Sequence, residues 1–476
     1  VRFHRSLHLS SGWIPIATDI PSVTRNVTCT VCACLCDDLR ITHTKTRVLE
    51  AEGACYLAEP WFLQQGTAQP DDGQIEGVRV ALPQAVEHAA EILAQAKAPL
   101  IYGLSRSGTE GQRAAVNLAD MLGATIDTTA SLGHGPSIMA VQEEGESTCS
   151  LGEVRNRADL VIFWGSNPAK THPRHFERYS VDPIGEFVPG GKQDRTVVVI
   201  DVEPTETSAL ADLFIQVEPG RDFEAICALR MLLNGLTPNF QVNFGVSLDA
   251  LQDLVQRMRR CRYGVVFFGF GLSRAHHGHA TVSHLLKLVR ELNHHTRFAV
   301  RRMRGSGDVT GADMVLAWQT GYPFSVNLAR GYPRYNPGEY SAQTLLERRE
   351  ADACVFVGSH GIHRFSAAAR NYLNEIPTIV LDTAQAAVPL TPTVRFTTAI
   401  YGVHAAGTAY RMDEVPIPLA EFLPSELPTD AAVLQQIAAK LLAKRPLRPM
   451  ANERALRRQP RSDVRQQGPT SASARP

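Results

Sequence analysis

Apolar and polar positions alternate along most of this chain in blocks. Short runs that are apolar throughout recur at Pro99-Leu100-Ile101-Tyr102, Leu160-Val161-Ile162-Phe163, Val197-Val198-Val199-Ile200, Val265-Val266-Phe267-Phe268, Val355-Phe356-Val357 and Thr378-Ile379-Val380-Leu381. Most end directly at Gly or Asp: Gly103, Gly165, Asp201, Gly269, Gly358, Asp382. Between them lie stretches of helical period, with Ala115, Leu118, Ala119 and Leu122 on one face and Leu285, Leu288, Val289 and Leu292 on another. Strands that are apolar on both faces and separated by helices predict α/β architecture with mainly parallel sheets. Ligands in such folds gather at the carboxyl ends of the strands, so chemistry is expected at those Gly and Asp turns.

Two regions break the pattern. Residues 301–341 are rich in Gly, Arg and aromatic residues with little periodicity, which predicts a long structured loop region. From about Lys444 the chain is Arg-, Pro-, Gln- and Ser-rich without an apolar face and reads as disordered. The first 24 residues read as an unstructured leader, because polar residues and Pro15 interrupt any signal-peptide core.

With 476 residues, 44% hydrophobic, the chain can build several domains. Lys plus Arg and Asp plus Glu are 48 each, so no bulk charge favours nucleic acid or an anionic membrane. No run reaches the roughly 18 apolar residues of a membrane span. The expected location is the cytoplasm.

Cysteines change the picture. Cys29, Cys32, Cys34 and Cys36 crowd into one segment, Cys55 follows, and four more are scattered. Such clustering in a large chain reads as metal binding. The spacing C-x2-C-x3-C with a later Cys55 suits a cubane 4Fe-4S cluster on Cys29, Cys32, Cys36 and Cys55. Zinc is the alternative, but the second C-x2-C knuckle of a structural zinc site is absent. A metal-free turn is the third reading. Cys34 exceeds what four ligands need and is expected to point away.

Gly165, Ser166 and Asn167, with His172, follow one strand, and Asp201 and Thr205 follow the next. A glycine turn can bring backbone amides to a phosphate, and Asp201 stands like an acid that bonds ribose hydroxyls. Gly358, Ser359 and His360 follow a further strand. Neither G-x-G-x-x-G in a clean strand-to-helix turn nor a Walker lysine motif is present.

Four motifs in order, C-x2-C-x3-C-D-D, W-G-S-N-P-x-x-x-H-P, D-V-E-P-T-E-T-S-x-L-A-D and W-Q-T-G-Y-P-F-x-V…G-Y-P-R-Y-N-P-G-E, resemble the B-type subunit of formylmethanofuran dehydrogenase over residues 27–420. This is a short relative of the molybdopterin and tungstopterin oxidoreductases. The resemblance implies an iron–sulfur-type domain (25–72), a first α/β domain (73–130 plus 305–415), a second, inserted one (131–304) and a C-terminal helix and tail (416–476). It also implies a pterin guanine dinucleotide holding molybdenum or tungsten, and companion chains of three kinds: amidohydrolase-like (A-type), C-type, and formyltransferase-like or D-type.

Two departures follow from the resemblance. The metal-ligating cysteine is expected after the first α/β strand, where Thr109 stands, and Ser107 with Glu110 fits a capping box there. After Arg304, the other candidate near the metal, Ser306 and Gly307 stand where His and Tyr are implied. The sequence is therefore read as most like the bacterial formyltransferase/hydrolase form, with the redox chemistry and pterin lost. The rivals are a working molybdenum or tungsten dehydrogenase subunit and a metal-stabilised scaffold without pterin.

Overall fold

A computed structural model describes residues 20–67, 73–238 and 244–444. The tail beyond Lys444 and residues 1–19 of the expected leader lie outside them. The rest of that leader is not unstructured: strand β1 (Ser22–Val27) pairs antiparallel with β2 (Leu39–His43), which pairs with β3 (Val48–Glu52). Leu39 and Ile41 of β2 and Val48 of β3 are buried in the core that also holds the cysteines. The backbone pairing with β2, invisible in the leader's own composition, orders residues 22–24.

Strands β4 (Gly73–Ile75) and β5 (Val78–Val80) form an antiparallel edge. They belong to a nine-stranded sheet whose centre is parallel: β7 (Thr125–Thr128), β6 (Pro99–Gly103), β15 (Ala353–Val357), β16 (Thr378–Asp382) and β17 (Val394–Thr397). The far edge is the hairpin β13 (Val326–Asn327) and β14 (Arg334–Tyr335). A second, wholly parallel sheet runs in the order β10 (Leu213–Gln216), β9 (Thr196–Asp201), β8 (Leu160–Trp164), β11 (Tyr263–Phe268), β12 (Arg297–Arg302). All six apolar runs are strands. Every residue of β6, β8, β11, β15 and β16 is buried, which is why they read as unbroken hydrophobic blocks.

Strand order reverses between β6 and β15 in one sheet and between β8 and β11 in the other. Crevices open at the carboxyl ends of such strand pairs.

Region 301–341 is not a loop throughout. Val309–Thr320 is a helix, and the hairpin β13/β14 follows. Asp308 caps the helix by accepting a bond from Gly311 N at 2.9 Å. Residues 309–313, Val315 and Leu316 are all buried, so more than one face is covered and the sequence carries no amphipathic period.

Candidate functional site: a thiol-lined cavity and an inter-sheet crevice

The cysteine loop is shaped by its backbone. Cys29 N donates to Cys36 O at 2.8 Å, and Leu35 takes a left-handed turn at φ 41°. Met412 N donates to Ala33 O, and Tyr179 Oη donates to Cys34 O at 3.3 Å. Five thiols, Cys29, Cys32, Cys34, Cys36 and Cys55, line one cavity with Arg174 and Pro173, which together with its mouth holds about 290 Å³ of empty space. Cys34 does not point away. It is fully buried and lines the same cavity. The crossing at Leu35 and the pinned carbonyls determine this, and spacing alone carries no sign of it.

The two acids after Cys36 clasp the loop to the segment following β8. Arg174 binds Asp38 through both guanidinium nitrogens at 2.7 and 2.8 Å, and Arg178 binds Asp37 at 2.7 Å and also reaches Asp38. Partial burial raises the Asp38 pKa, but Arg174 and Arg178 outweigh it and hold the carboxyl below its usual range. Burial, with Cys32 adding, pushes the Cys36 thiol up to about 12. Metals bind the thiolate, so loading one on Cys36 would release its proton.

The second cavity lies where the two sheets face each other. Thr129, Ala130, Gly133 and His134 come from the turn after β7, Phe270 from the turn after β11, and Gly305, Ser306 and Val309 from the segment after β12. His360 and Arg364, after β15, complete it, and about 270 Å³ of empty space is enclosed with its mouth. His134 is held on both nitrogens, Nε2 to Met303 O at 3.0 Å and Nδ1 to Ser137 Oγ at 3.2 Å. His360 Nε2 meets Ser105 Oγ at 3.0 Å, while Nδ1 has no partner among the described residues. A Cβ on Gly133 would lie 2.7 Å from Phe270 Cε1, so the ring fills the space a side chain at 133 would need. Gly307 takes φ 77°, and a Cβ there would sit 2.1 Å from Ser105 O. The close approach of the two loops excludes a side chain at 307.

Thr109 does not line this cavity. Its hydroxyl donates to Thr408 O at 3.1 Å, on the first turn of the helix Thr109–Leu122. Gly108, not Ser107, caps that helix, and no side chain contributes a cap bond. Ser107 turns instead to Gly108 O and to the buried Asp430. Arg304 is buried beside the cavity, paired with Asp313, with Nε and Nη1 unpartnered among the described residues.

The remaining candidates separate. His360 lines the cavity, and Ser359 bonds Asp382 through N and Oγ at 2.7 and 2.6 Å, anchoring the turn that begins at Gly358. His172 Nε2 donates to Arg304 O at 2.9 Å, supporting the cavity from behind. Gly165 packs against Gly271 and Leu272, and Ser166 reaches Phe267 O. Asn167, Thr205 and Asp201 form a separate ledge. Asn167 accepts from Thr207 and donates to Glu206, Thr205 and Ser208 bond each other, and Asp201 accepts from Val202 N. Sequence reasoning does not single out Gly133, His134 and Phe270. The available signal is the Gly-His-Gly-Pro turn after β7, a strand too short and mixed to stand out.

Burial drives the His172 pKa down to about 4. In the unfolded chain it returns to about 6.5. The unfolded state therefore takes the proton first as pH falls, so stability from this burial is complete above about pH 6.5 and is lost as pH drops through 4. Asp127 and Asp308, raised by burial to about 6 and about 7, act in the opposite sense, losing their contribution as pH rises through those values. The His172 contribution is isolated by difference. His172→Gln, which keeps a donor for Arg304 O, is expected to reduce by about one proton the slope of unfolding free energy against pH between 6.5 and 4. Parallel slopes in denaturant titrations of the two proteins would refute it.

Together the cysteine-rich N-terminal unit and two parallel sheets meeting at a crevice define a fold shared with acetylene hydratase from Pelobacter acetylenicus (TM-score 0.63, 10% identity, 88% of this chain and 69% of that one). A likeness that spans nearly the whole of its counterpart is with a chain in the crystal structure of the formyltransferase/hydrolase complex (FhcABCD) from Methylorubrum extorquens with methylofuran, at TM-score 0.66 and 23% identity over 78% of this chain and 99% of that one. In sequence, the B-type subunit of the tungsten-containing formylmethanofuran dehydrogenase 2 of Methanocaldococcus jannaschii is 38% identical, covering 88% of this chain and 98% of its own length. The B-type subunit of the Methylorubrum extorquens complex is 24% identical over 78% and 98%. No family model matches the chain. The chain belongs to the family of B-type subunits of formylmethanofuran dehydrogenase, and so to the subunits of one-carbon metabolism. Among the described residues no helix is long and apolar enough to cross a membrane.

Proposed function

We propose that this chain is a redox-silent structural subunit of a cytoplasmic formyltransferase/hydrolase complex, which releases formate through companion chains of the A, C and D types. The carrying observation is the donor set of the inter-sheet cavity. Among the described residues its lining includes no thiol and no carboxylate, His134 is committed on both nitrogens, and Phe270 occupies the space beside Gly133. These residues do not fit a thiolate-ligated molybdenum or tungsten centre.

The thiol-lined cavity, by contrast, fits a 4Fe-4S cluster on Cys29, Cys32, Cys36 and Cys55. Among the described residues no three His, Cys, Asp or Glu side chains converge on a single-ion site. Four thiols match the one thiolate per iron that a cubane takes. When bound, such a cluster would supply one-electron chemistry and brace the fold.

The second reading, a catalytic tungsten or molybdenum subunit interconverting carbon dioxide and formate, is favoured by the 38% identity to a tungsten-containing relative. In that reading Gly165, Asn167, Asp201 and Thr205 would flank a nucleotide. Elemental analysis of the complex purified without oxygen decides. Iron at about four per chain is expected, with tungsten and molybdenum at background. Either heavy metal in amounts matching the chain would establish the second reading, and zinc alone the metal-stabilised scaffold.

A further inference from the structure

The wall of the inter-sheet crevice holds donors for which the chain supplies no acceptor. Thr129 Oγ1 donates to Ser105 Oγ at 3.1 Å, so the Ser105 hydrogen is free to turn to His360 Nε2 at 3.0 Å. That bond makes Nε2 the acceptor, and a neutral imidazole then carries its hydrogen on Nδ1. Nδ1 is buried and has no partner among the described residues. Tyr102 Oη is buried without a partner as well, 3.0 Å from where a Cβ on Gly361 would stand. Native folds leave few buried polar groups unpaired, so two beside one turn call for an acceptor from outside the chain.

Cations stand at the same turn. Gly358 takes φ 80°, and a Cβ there would lie 3.1 Å from Arg106 Cβ and 3.7 Å from His360 Nδ1. The Arg106 stem therefore runs beside the open nitrogen, and its Cδ lies next to Gly307. Arg364 lines the cavity together with His360. Both arginines are exposed, and among the described residues neither guanidinium forms an ion pair or a hydrogen bond. Asp382 is already engaged by Ser359 and by Thr383 N at 2.8 Å. A chain with no net charge thus gathers unpaired cations and N–H donors at one place.

We propose that the crevice beside Gly358 binds a small oxyanion, whose oxygens accept from His360 Nδ1–H and from the guanidinium groups of Arg106 and Arg364. Its class is a carboxylate or inorganic phosphate, since the planar guanidinium fork matches either. Arg106 follows β6 and His360 follows β15, the strands between which the sheet order reverses, so the anion bridges the two turns. The proposal deepens the redox-silent reading and rests on it, because a pterin seated there would use the same donors.

The test uses the purified complex and measures binding of sodium formate and of sodium phosphate by titration calorimetry at constant ionic strength, with sodium chloride as reference. Formate, phosphate or both are expected to bind more tightly than chloride, and which of them does so identifies the source. Arg364→Gln, at an exposed position, is expected to weaken binding about tenfold or more, the loss of one charge-assisted hydrogen bond. An asparagine amide stands near the Nδ1 position of histidine and a glutamine amide near Nε2. His360→Asn should therefore bind more tightly than His360→Gln, and the reverse order overturns the part given to His360. Neither anion binding better than chloride, or Arg364→Gln binding as wild type does, overturns the proposal and leaves an adventitious ion only. Metal analysis of the same sample separates the two readings. Tungsten or molybdenum in amounts matching the chain overturns the redox-silent reading and this proposal with it, whereas both metals at background with no anion bound overturn the proposal alone.

Discussion

Formate offered to the purified complex with a viologen acceptor is expected to yield no reduced viologen, and Thr109→Cys is expected to leave that rate at background. Removing an electron pair from formate needs a redox centre, and none of the side chains lining the inter-sheet cavity accepts one. The resemblance to metal-dependent relatives directs attention to position 109, but the structure puts Thr109 on a helix start where its hydroxyl serves Thr408 O. A thiolate there would not reach the inter-sheet cavity, which is lined by residues of other turns. Nor would a cysteine at 133 be accommodated as the side chains stand, since Phe270 fills the adjacent space. The activity assay and metal analysis together make the test. Viologen reduction by wild-type complex, matched by tungsten or molybdenum in amounts equal to the chain, would sink the redox-silent reading.

Asp313→Ala should be the most damaging single substitution near the crevice for stability. Asp313 and Arg304 are both buried, and they form an ion pair across the segment that joins β12 to the helix Val309–Thr320. Thr128 Oγ1, from β7 in the other sheet, donates to the same carboxylate at 2.8 Å. Arg304 also donates to Val309 O at 3.2 Å. Removing one partner of a buried pair leaves an uncompensated charge, a loss of about 3–5 kcal/mol. Asp313→Asn keeps an acceptor for Thr128 without the charge and should fall between. Denaturant midpoints at neutral pH measure both, and a shift under about 1 kcal/mol for the alanine variant would refute the argument.

What the sequence reveals and what it hides follow one physical division. The strands are legible because burial on both faces writes an uninterrupted apolar word, as in Val265-Val266-Phe267-Phe268. The cysteine site is legible because its thiols are local. The crevice is not, because Thr129, Gly133, Phe270, Ser306 and His360 meet only after several crossovers, and none carries a spacing rule. Thr109 stands out because it follows the strand Pro99–Gly103, which is easy to see, whereas the cavity's turn follows Thr125–Thr128, which is not. Helix Val309–Thr320 is hidden because burial on several sides erases the period that marks a helix. The placement of Cys34 turns on a single left-handed residue, Leu35, whose conformation composition does not encode.

The clasp of Asp37 and Asp38 on Arg178 and Arg174 has a thermodynamic consequence. It joins the loop that carries three of the proposed ligands to the segment that carries His172, and His172 in turn supports the crevice at Arg304 O. The thiol-lined cavity and the crevice are thus connected through ion pairs that remain partly open to solvent. Such pairs are screened by salt. Were a metal held among the thiols, ionic strength would control its retention, and an effector that touched only the arginines would be felt at a metal it never meets.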